Sequence, residues 1–149
     1  MQAPGAAPLP RSILFLCGMN AIRSPMAEML AKRALPPATF VASAGVRAGA
    51  RDPFVDAVLA EKGLSLGNRQ PQRLDEMEDA YFDLIVTLAP EAHHAALELT
   101  RSMAVDVEYW PTADPSGAAG SRDRILDAYR DVRDRIERRI VARFAAGEP

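Results

Sequence analysis

Residues 12–17, Ser-Ile-Leu-Phe-Leu-Cys, carry no charge and only one polar side chain, the serine at the start. A run of this kind suits a strand buried on both faces, and such strands belong to parallel sheets covered by helices. Three further strand-like runs follow at residues 39–43, 82–88 and 105–109. Helix signals separate them. Ser24-Pro25 joins a favoured N-cap to a favoured first helical residue, so a helix is expected over residues 24–35. Met26, Met29, Leu30 and Ala34 would form its inner face, and Pro36-Pro37 would end it. Asp52-Pro53 opens a second helix with Phe54, Val58 and Leu59 on one face, closing at Lys62-Gly63. Residues 67–79 read as polar and irregular. A third helix begins at Pro90 and reaches about residue 102. After a loop at residues 111–120, Ser121 caps a long helix whose Ile125, Tyr129, Val132, Ile136, Ile140 and Phe144 make a core stripe. Its outer charges, among them Asp127, Arg130, Asp131, Asp134, Arg135 and Arg138, read as a solvated face with local ion pairs. Strands alternating with helices imply right-handed βαβ units. The expected fold class is therefore α/β, a single four-stranded parallel sheet flanked by helices on both faces.

Size and charge narrow the function. The chain has 149 residues, 48% hydrophobic and 26% charged, with a net charge of −2. That length suits one domain able to bury a core without staples. Residues 1–10 read as a flexible tail and residues 11–149 as the domain. A near-neutral charge argues against a nucleic-acid partner, which usually demands a basic stripe. The longest compact apolar run, Ile13-Leu14-Phe15-Leu16, is too short to span a membrane. The first residues lack the basic start and apolar stretch of a signal peptide, so the cytoplasm is the expected location. With one cysteine, no intrachain disulfide can form. His93 and His94 are adjacent, share no ligand spacing and read as an exposed pair, so no metal and no cofactor are assigned. Trp110, Phe54 and Tyr81 read as core aromatics.

The chemistry concentrates in Cys17-Gly18-Met19-Asn20-Ala21-Ile22-Arg23-Ser24, between the first strand and the first helix. In an open α/β sheet, ligands bind outside the carboxyl ends of the strands, and this loop is a natural candidate. Successive N–H groups running into a helix N-terminus form an anion cradle. Arg23 can grip two oxygens of a tetrahedral anion with its fork. Cys17 at the centre of these donors should ionise readily. A thiolate under an anchored phosphate is a nucleophile aimed at phosphorus. Gly18 keeps one wall slim, and Asn20 tolerates a left-handed backbone where the loop reverses.

The same run, with Pro25-Met26-Ala27-Glu28 after it, resembles the low-molecular-weight protein tyrosine phosphatases, which carry C-x5-R-S after their first strand. The resemblance extends to Ser43-Ala44-Gly45, to the strand at residues 82–87 and to Asp114-Pro115, and so covers residues 12 to about 145. It implies a phosphate-binding loop of residues 18–24, with Gly18, Met19, Asn20, Ala21, Ile22, Arg23 and Ser24 around the anion. It also implies that Cys17 is the nucleophile and forms a phosphocysteine. Arg23 would bind the phosphoryl oxygens, Ser24 would stabilise the thiolate, and Asn20 and Ser43 would support the loop. Asp114 would be the general acid and later the base. Negative charge nearby should raise its pKa. Asp114-Pro-Ser-Gly is also ordinary turn chemistry.

The implied activity is metal-independent hydrolysis of a phosphomonoester, protein phosphotyrosine first. The substrate partner would be a phosphorylated protein or a small phosphate ester. Four departures stand out, the first being Ala21, smaller than the usual isoleucine, which would widen the pocket wall. Met19 replaces the family's usual glycine at the pocket rim. Ile22 stands where many members carry a second cysteine, which removes the partner for a protective disulfide. Ser116-Gly117 replace aromatic residues that stack on a substrate ring. Two other readings remain. One is arsenate reduction on the same loop, in the version that borrows an external thiol, because the chain has no further cysteine. The other is a phosphate-binding module with little turnover.

Overall fold

The computed structural model describes residues 9–78 and 81–145. Most of the expected 1–10 tail, and Asp79, lie outside the described residues. Four strands form one parallel sheet in the order β2-β1-β3-β4. They are β1 (Ser12–Cys17), β2 (Phe40–Gly45), β3 (Leu84–Thr87) and β4 (Asp106–Tyr109). The helices are α1 (Arg23–Ala34), α2 (Pro53–Ala60), α3 (Pro90–Leu99) and α4 (Arg122–Ile140), the last running on into a wider turn at Val141–Ala145. The expected fold class is the observed one.

Apolar content explains the strand order. β1 and β3 are the most apolar runs and take the central places; every residue of β3 is buried. β4, with Asp106 and Glu108, takes an edge. Alternate residues of β1 face opposite layers. Ile13, Phe15 and Cys17 pack with residues of α1, α2 and α4, such as Met26, Val58 and Ile136. Leu14 and Leu16 pack with Ala92 and Ala96 of α3. The chain leaves β1 for β2 on one side and reaches β3 on the other, so strand order reverses at β1. Ligands in such sheets bind outside the carboxyl end at that reversal. Cys17 is the last residue of β1 and pairs with Gly45 of β2.

Several local expectations are corrected. Ser24 does not cap α1. The cap position is Ile22, without a side-chain bond, and the Ser24 side chain turns instead toward the Cys17 sulfur. Ala34 is exposed, because the buried stripe of α1 runs through Met26, Ala27, Leu30 and Ala31. β3 is shorter than residues 82–88; at its start the Asp83 N–H donates to the Ser12 hydroxyl at 2.9 Å rather than to a strand carbonyl. α3 stops at Leu99, where the Thr100 hydroxyl donates to the Leu97 carbonyl at 2.6 Å. Within residues 67–79, Leu74–Glu76 form a single 3-10 turn. The caps Asp52 and Ser121 stand as expected, accepting from the N–H groups of Phe54 and Arg124.

Trp110 is core, but Tyr81 is 81% exposed, and Phe54 is half-buried beneath the Arg122 guanidinium. His94 is exposed, whereas His93 is half-buried, stacked on Tyr109 and bonded to the Thr87 hydroxyl. The charges of α4 are more than a solvated face. Arg130 reaches Glu61, 69 residues away. Buried Arg133 donates to the Val58 carbonyl at 2.9 Å and to Glu61 at 2.7 Å, tying α4 to the end of α2.

Candidate active site

The loop after β1 wraps a pocket of about 110 Å³. Cys17, Gly18, Met19, Ala21, Ile22, Arg23 and Asp114 line it, joined by Arg47 and Glu91. Sequence reasoning placed the first seven there and missed the last two. Glu91 could have been found, because it sits in the first turn of α3 just beyond the carboxyl end of β3. Arg47 follows β2 by two residues and carried no local signal. The N–H groups of residues 18–24 donate to no protein acceptor among the described residues. Such N–H groups at the start of a helix can receive an anion.

Asn20, Ser24 and Ser43 do not line this pocket. They are buried behind it and hold its shape. Asn20 adopts the expected left-handed backbone, with φ 54°. Its side-chain NH2 donates to the Ser24 hydroxyl at 2.9 Å and to the Ser43 hydroxyl at 3.0 Å. Its carbonyl oxygen accepts the Gln72 N–H at 2.9 Å. Ser43 in turn donates to buried Glu28 at 2.7 Å. This fixes the direction of every proton up to Ser24. The Ser24 oxygen lies 2.9 Å from the Cys17 sulfur and 3.3 Å from the Ala44 carbonyl. A thiol can donate to Ser24, whose own proton then goes to Ala44. A thiolate can receive that same proton. The arrangement serves both states of the sulfur without leaving a buried group unpaired. Glu28 and Gln72 are supporting residues that the sequence reading did not single out.

Arg23 is held by the Thr112 carbonyl at 3.0 Å, and its other terminal nitrogen stands 3.9 Å from the Asp114 carboxylate. Asp114 also accepts the Ser116 N–H at 2.9 Å, so it does form the turn that its sequence suggested. Both readings of that residue are therefore compatible. The expected rise in its pKa is corrected. Burial pushes its carboxyl up, but the Ser116 hydrogen bonds and the Arg23 charge outweigh burial and hold it below the ordinary aspartate value. An anion beside Arg23 would offset that charge and push the carboxyl back up, while the Ser116 hydrogen bonds would remain.

Two rim features shape access. Met19 is 46% exposed at the pocket edge. Arg47 and Glu91 form a two-point ion pair across the mouth, with nitrogen–oxygen distances of 2.5 and 3.0 Å. A Cβ on Gly18 would fall 2.3 Å from a Glu91 carboxylate oxygen, which explains the slim wall. Among the described residues, no group of three or more His, Cys, Asp or Glu stands close enough to hold a metal, and no helix is long and apolar enough to cross a membrane.

Known proteins resemble this chain in sequence and in fold. The arsenate reductase of Bacillus licheniformis is 33% identical over 135 residues, covering 91% of this chain and 95% of its own. A crystal structure of the Erwinia amylovora tyrosine phosphatase amsI superimposes with a TM-score of 0.75 at 27% identity, covering 99% of this chain and 98% of that one. The YwlE arginine phosphatase from Geobacillus stearothermophilus gives a TM-score of 0.74 at 25% identity, covering 92% of each chain. The family model for low molecular weight phosphotyrosine protein phosphatases matches residues 12–146. On the match of nearly the whole chain, the parallel sheet and the Cys17-x5-Arg23 loop at its point of reversal, the chain belongs to the low-molecular-weight phosphotyrosine protein phosphatase family and has that family's cysteine-based activity on phosphate esters.

Proposed function

We propose that this chain hydrolyses phosphomonoesters without a metal, through a phosphocysteine on Cys17. One observation carries the reading: Cys17, Arg23 and Asp114 meet in a single pocket beside loop N–H groups that have no acceptor among the described residues. The ester's phosphoryl group sits in the cradle, with Arg23 turned from Asp114 onto its oxygens. The Cys17 thiolate attacks phosphorus as the ester P–O bond breaks. Asp114 gives its proton to the departing oxygen. A water then attacks the phosphocysteine, losing a proton to Asp114. The S–P bond breaks, inorganic phosphate leaves, and Ser24 donates to the returning thiolate. Phosphotyrosine is the first ester to test because of the family. The turn Pro115–Gly117 beside Asp114 offers no aromatic face to a ring, so the preference for tyrosine rests on the family alone.

A second reading has a specific observation behind it. The sequence relatives named arsenate reductase support arsenate chemistry more than they support phosphotyrosine. A cradle for a tetrahedral oxyanion suits arsenate as well as phosphate. Cys17 would add to arsenic(V) with loss of water. An external thiol would then attack the Cys17 sulfur, releasing arsenite and leaving a mixed disulfide. A second external thiol would restore Cys17. Cys17 is the only cysteine, so both added thiols must come from outside the chain.

Hydrolysis of p-nitrophenyl phosphate between pH 4.5 and 8, with chelator present, decides between these. The phosphatase reading expects turnover that vanishes in Cys17→Ser and falls in Asp114→Asn. A folded but inactive wild type would overturn it. Arsenate-dependent consumption of a small thiol by that inactive protein would install the reductase reading, and tight phosphopeptide binding without turnover would install a binding module.

A further inference from the structure

A second cavity, about 400 Å³, opens behind the phosphate loop between α1, the edge strand β2 and the loop following α2. This volume is ample for a small molecule; ligand sites run from roughly 300 to 1,000 Å³. Val41, Leu66, Pro71 and Met77 give it apolar walls. At one end Lys32 and Arg69 both pair with a single carboxylate, buried Glu28. Arg51, also on the wall, is already committed to Asp56 and to the carbonyls of Gly67 and Arg69. The Glu28 end therefore holds two cations against one anion. Burial disfavours the charged form of both Lys32 and Arg69, so a further anion there would meet a partly desolvated positive site. One uncompensated charge suits a monoanion rather than a phosphate dianion, and an arginine fork suits a carboxylate.

We propose that this cavity binds a small aromatic carboxylate, with its ring against Val41, Leu66 and Met77 and its carboxylate between Lys32 and Arg69, and that occupancy alters anion affinity at the Cys17 loop. The link is the hydrogen-bond chain already described. Glu28 accepts from Ser43, Asn20 donates to both Ser43 and Ser24, and Ser24 touches the Cys17 sulfur. A carboxylate that draws Lys32 and Arg69 away leaves Glu28 more negative and a stronger acceptor for Ser43. Asn20 and the left-handed turn it supports respond to that pull. The binding half of this proposal stands alone, whereas the coupling half rests on the reading of residues 18–24 as an anion cradle.

The test uses the full chain, its amide NMR spectrum, 2-naphthoate as probe and neutral 2-naphthalenemethanol as control. Naphthoate should produce saturable shifts at Lys32, Val41, Leu66 and Gln72. The alcohol should bind roughly fivefold or more weakly, as should naphthoate to Arg69→Met, for loss of a charge-assisted bond. The spectrum of each variant reports whether it is folded. Equal binding of acid and alcohol, or shifts confined to residues 17–23, would overturn the site. A sulfate titration then measures the loop directly. Naphthoate should change sulfate affinity by about fivefold or more, and sulfate should change naphthoate affinity by the same factor. Naphthoate bound at the rear with sulfate affinity unchanged would overturn the coupling. Failure of sulfate to bind at all would instead refute the anion cradle, and would leave the naphthoate shifts to be judged separately.

Discussion

Asn20 combines a left-handed backbone with three side-chain hydrogen bonds in a buried place, so its replacement separates two physical effects. Asn20→Ala puts a Cβ at φ 54° without a polar side chain to favour that conformation. That backbone cost is about 1 kcal/mol. The three bonds contribute about 1 kcal/mol each, and their loss leaves the Gln72 N–H without its acceptor. The expected destabilisation is about 3–4 kcal/mol, a large share of the roughly 5–15 kcal/mol that holds a domain folded. Asn20→Gly forfeits the same bonds but accepts the backbone, so it should cost about 1 kcal/mol less. Urea denaturation followed by circular dichroism measures both, and the melting temperature of Asn20→Ala should fall by roughly 10 °C. Asn20→Asp keeps the turn and the acceptor for Gln72. It places a carboxylate oxygen where NH2 now donates to Ser24 and Ser43, and Ser43 already donates to Glu28. That variant should stay folded while sulfate binding to the loop drops sharply. The reasoning fails if the alanine and glycine variants are equally stable, or if both lose under about 1 kcal/mol.

Three shorter predictions follow from other parts of the molecule. Hydrogen bonds from Arg130 and then Arg133 depress the Glu61 carboxyl from 4.5 to about 2. This contributes stability above pH 4.5 that is lost as pH falls toward 2; with Glu61 largely solvated, screening limits it to about 1 kcal/mol, and Glu61→Gln should flatten that limb of the acid denaturation curve. Sulfate beside Arg23 should offset its charge and raise the Asp114 carboxyl against the Ser116 hydrogen bonds, so sulfate binding takes up protons as the pH falls into the carboxylate range. Calorimetry in buffers of different ionisation heat should detect this in wild type and not in Asp114→Asn. Two glycine variants should differ: Gly45→Ala drives a Cβ against three backbone atoms at 2.3–2.7 Å and should lose more than about 3 kcal/mol, while Gly18→Ala crowds the end of the Glu91 side chain rather than backbone and should be rescued by Glu91→Ala.

How much of this could be read in the chain depends on the range of the interaction. The apolar runs of β1 and β3 marked buried strands, because burial on both faces leaves no room for alternation. The Cys17-to-Ser24 segment marked the anion loop because its parts are adjacent in sequence, and Asp52 and Ser121 marked helix starts for the same reason. Ser24 misled, since a serine before proline satisfies the local rule for a cap, and only the sulfur and Asn20 beside it claim its hydroxyl. Arg133 among the charges of α4 gave no sign of its burial, which follows from the carbonyl and carboxylate that α2 brings to it.

The sequence by itself therefore determined the strand and helix alternation, the parallel sheet and the loop on which an anion would rest. The family resemblance brought Asp114, 97 positions after Cys17, to the same pocket, but tertiary structure alone decided that Arg47 and Glu91 close its mouth and that Glu28 anchors the proton chain behind it. Local structure follows from neighbours along the chain, whereas the direction of a proton or the pKa of a carboxylate depends on charges a few ångströms away. Those charges are supplied by segments that only the packed sheet brings together.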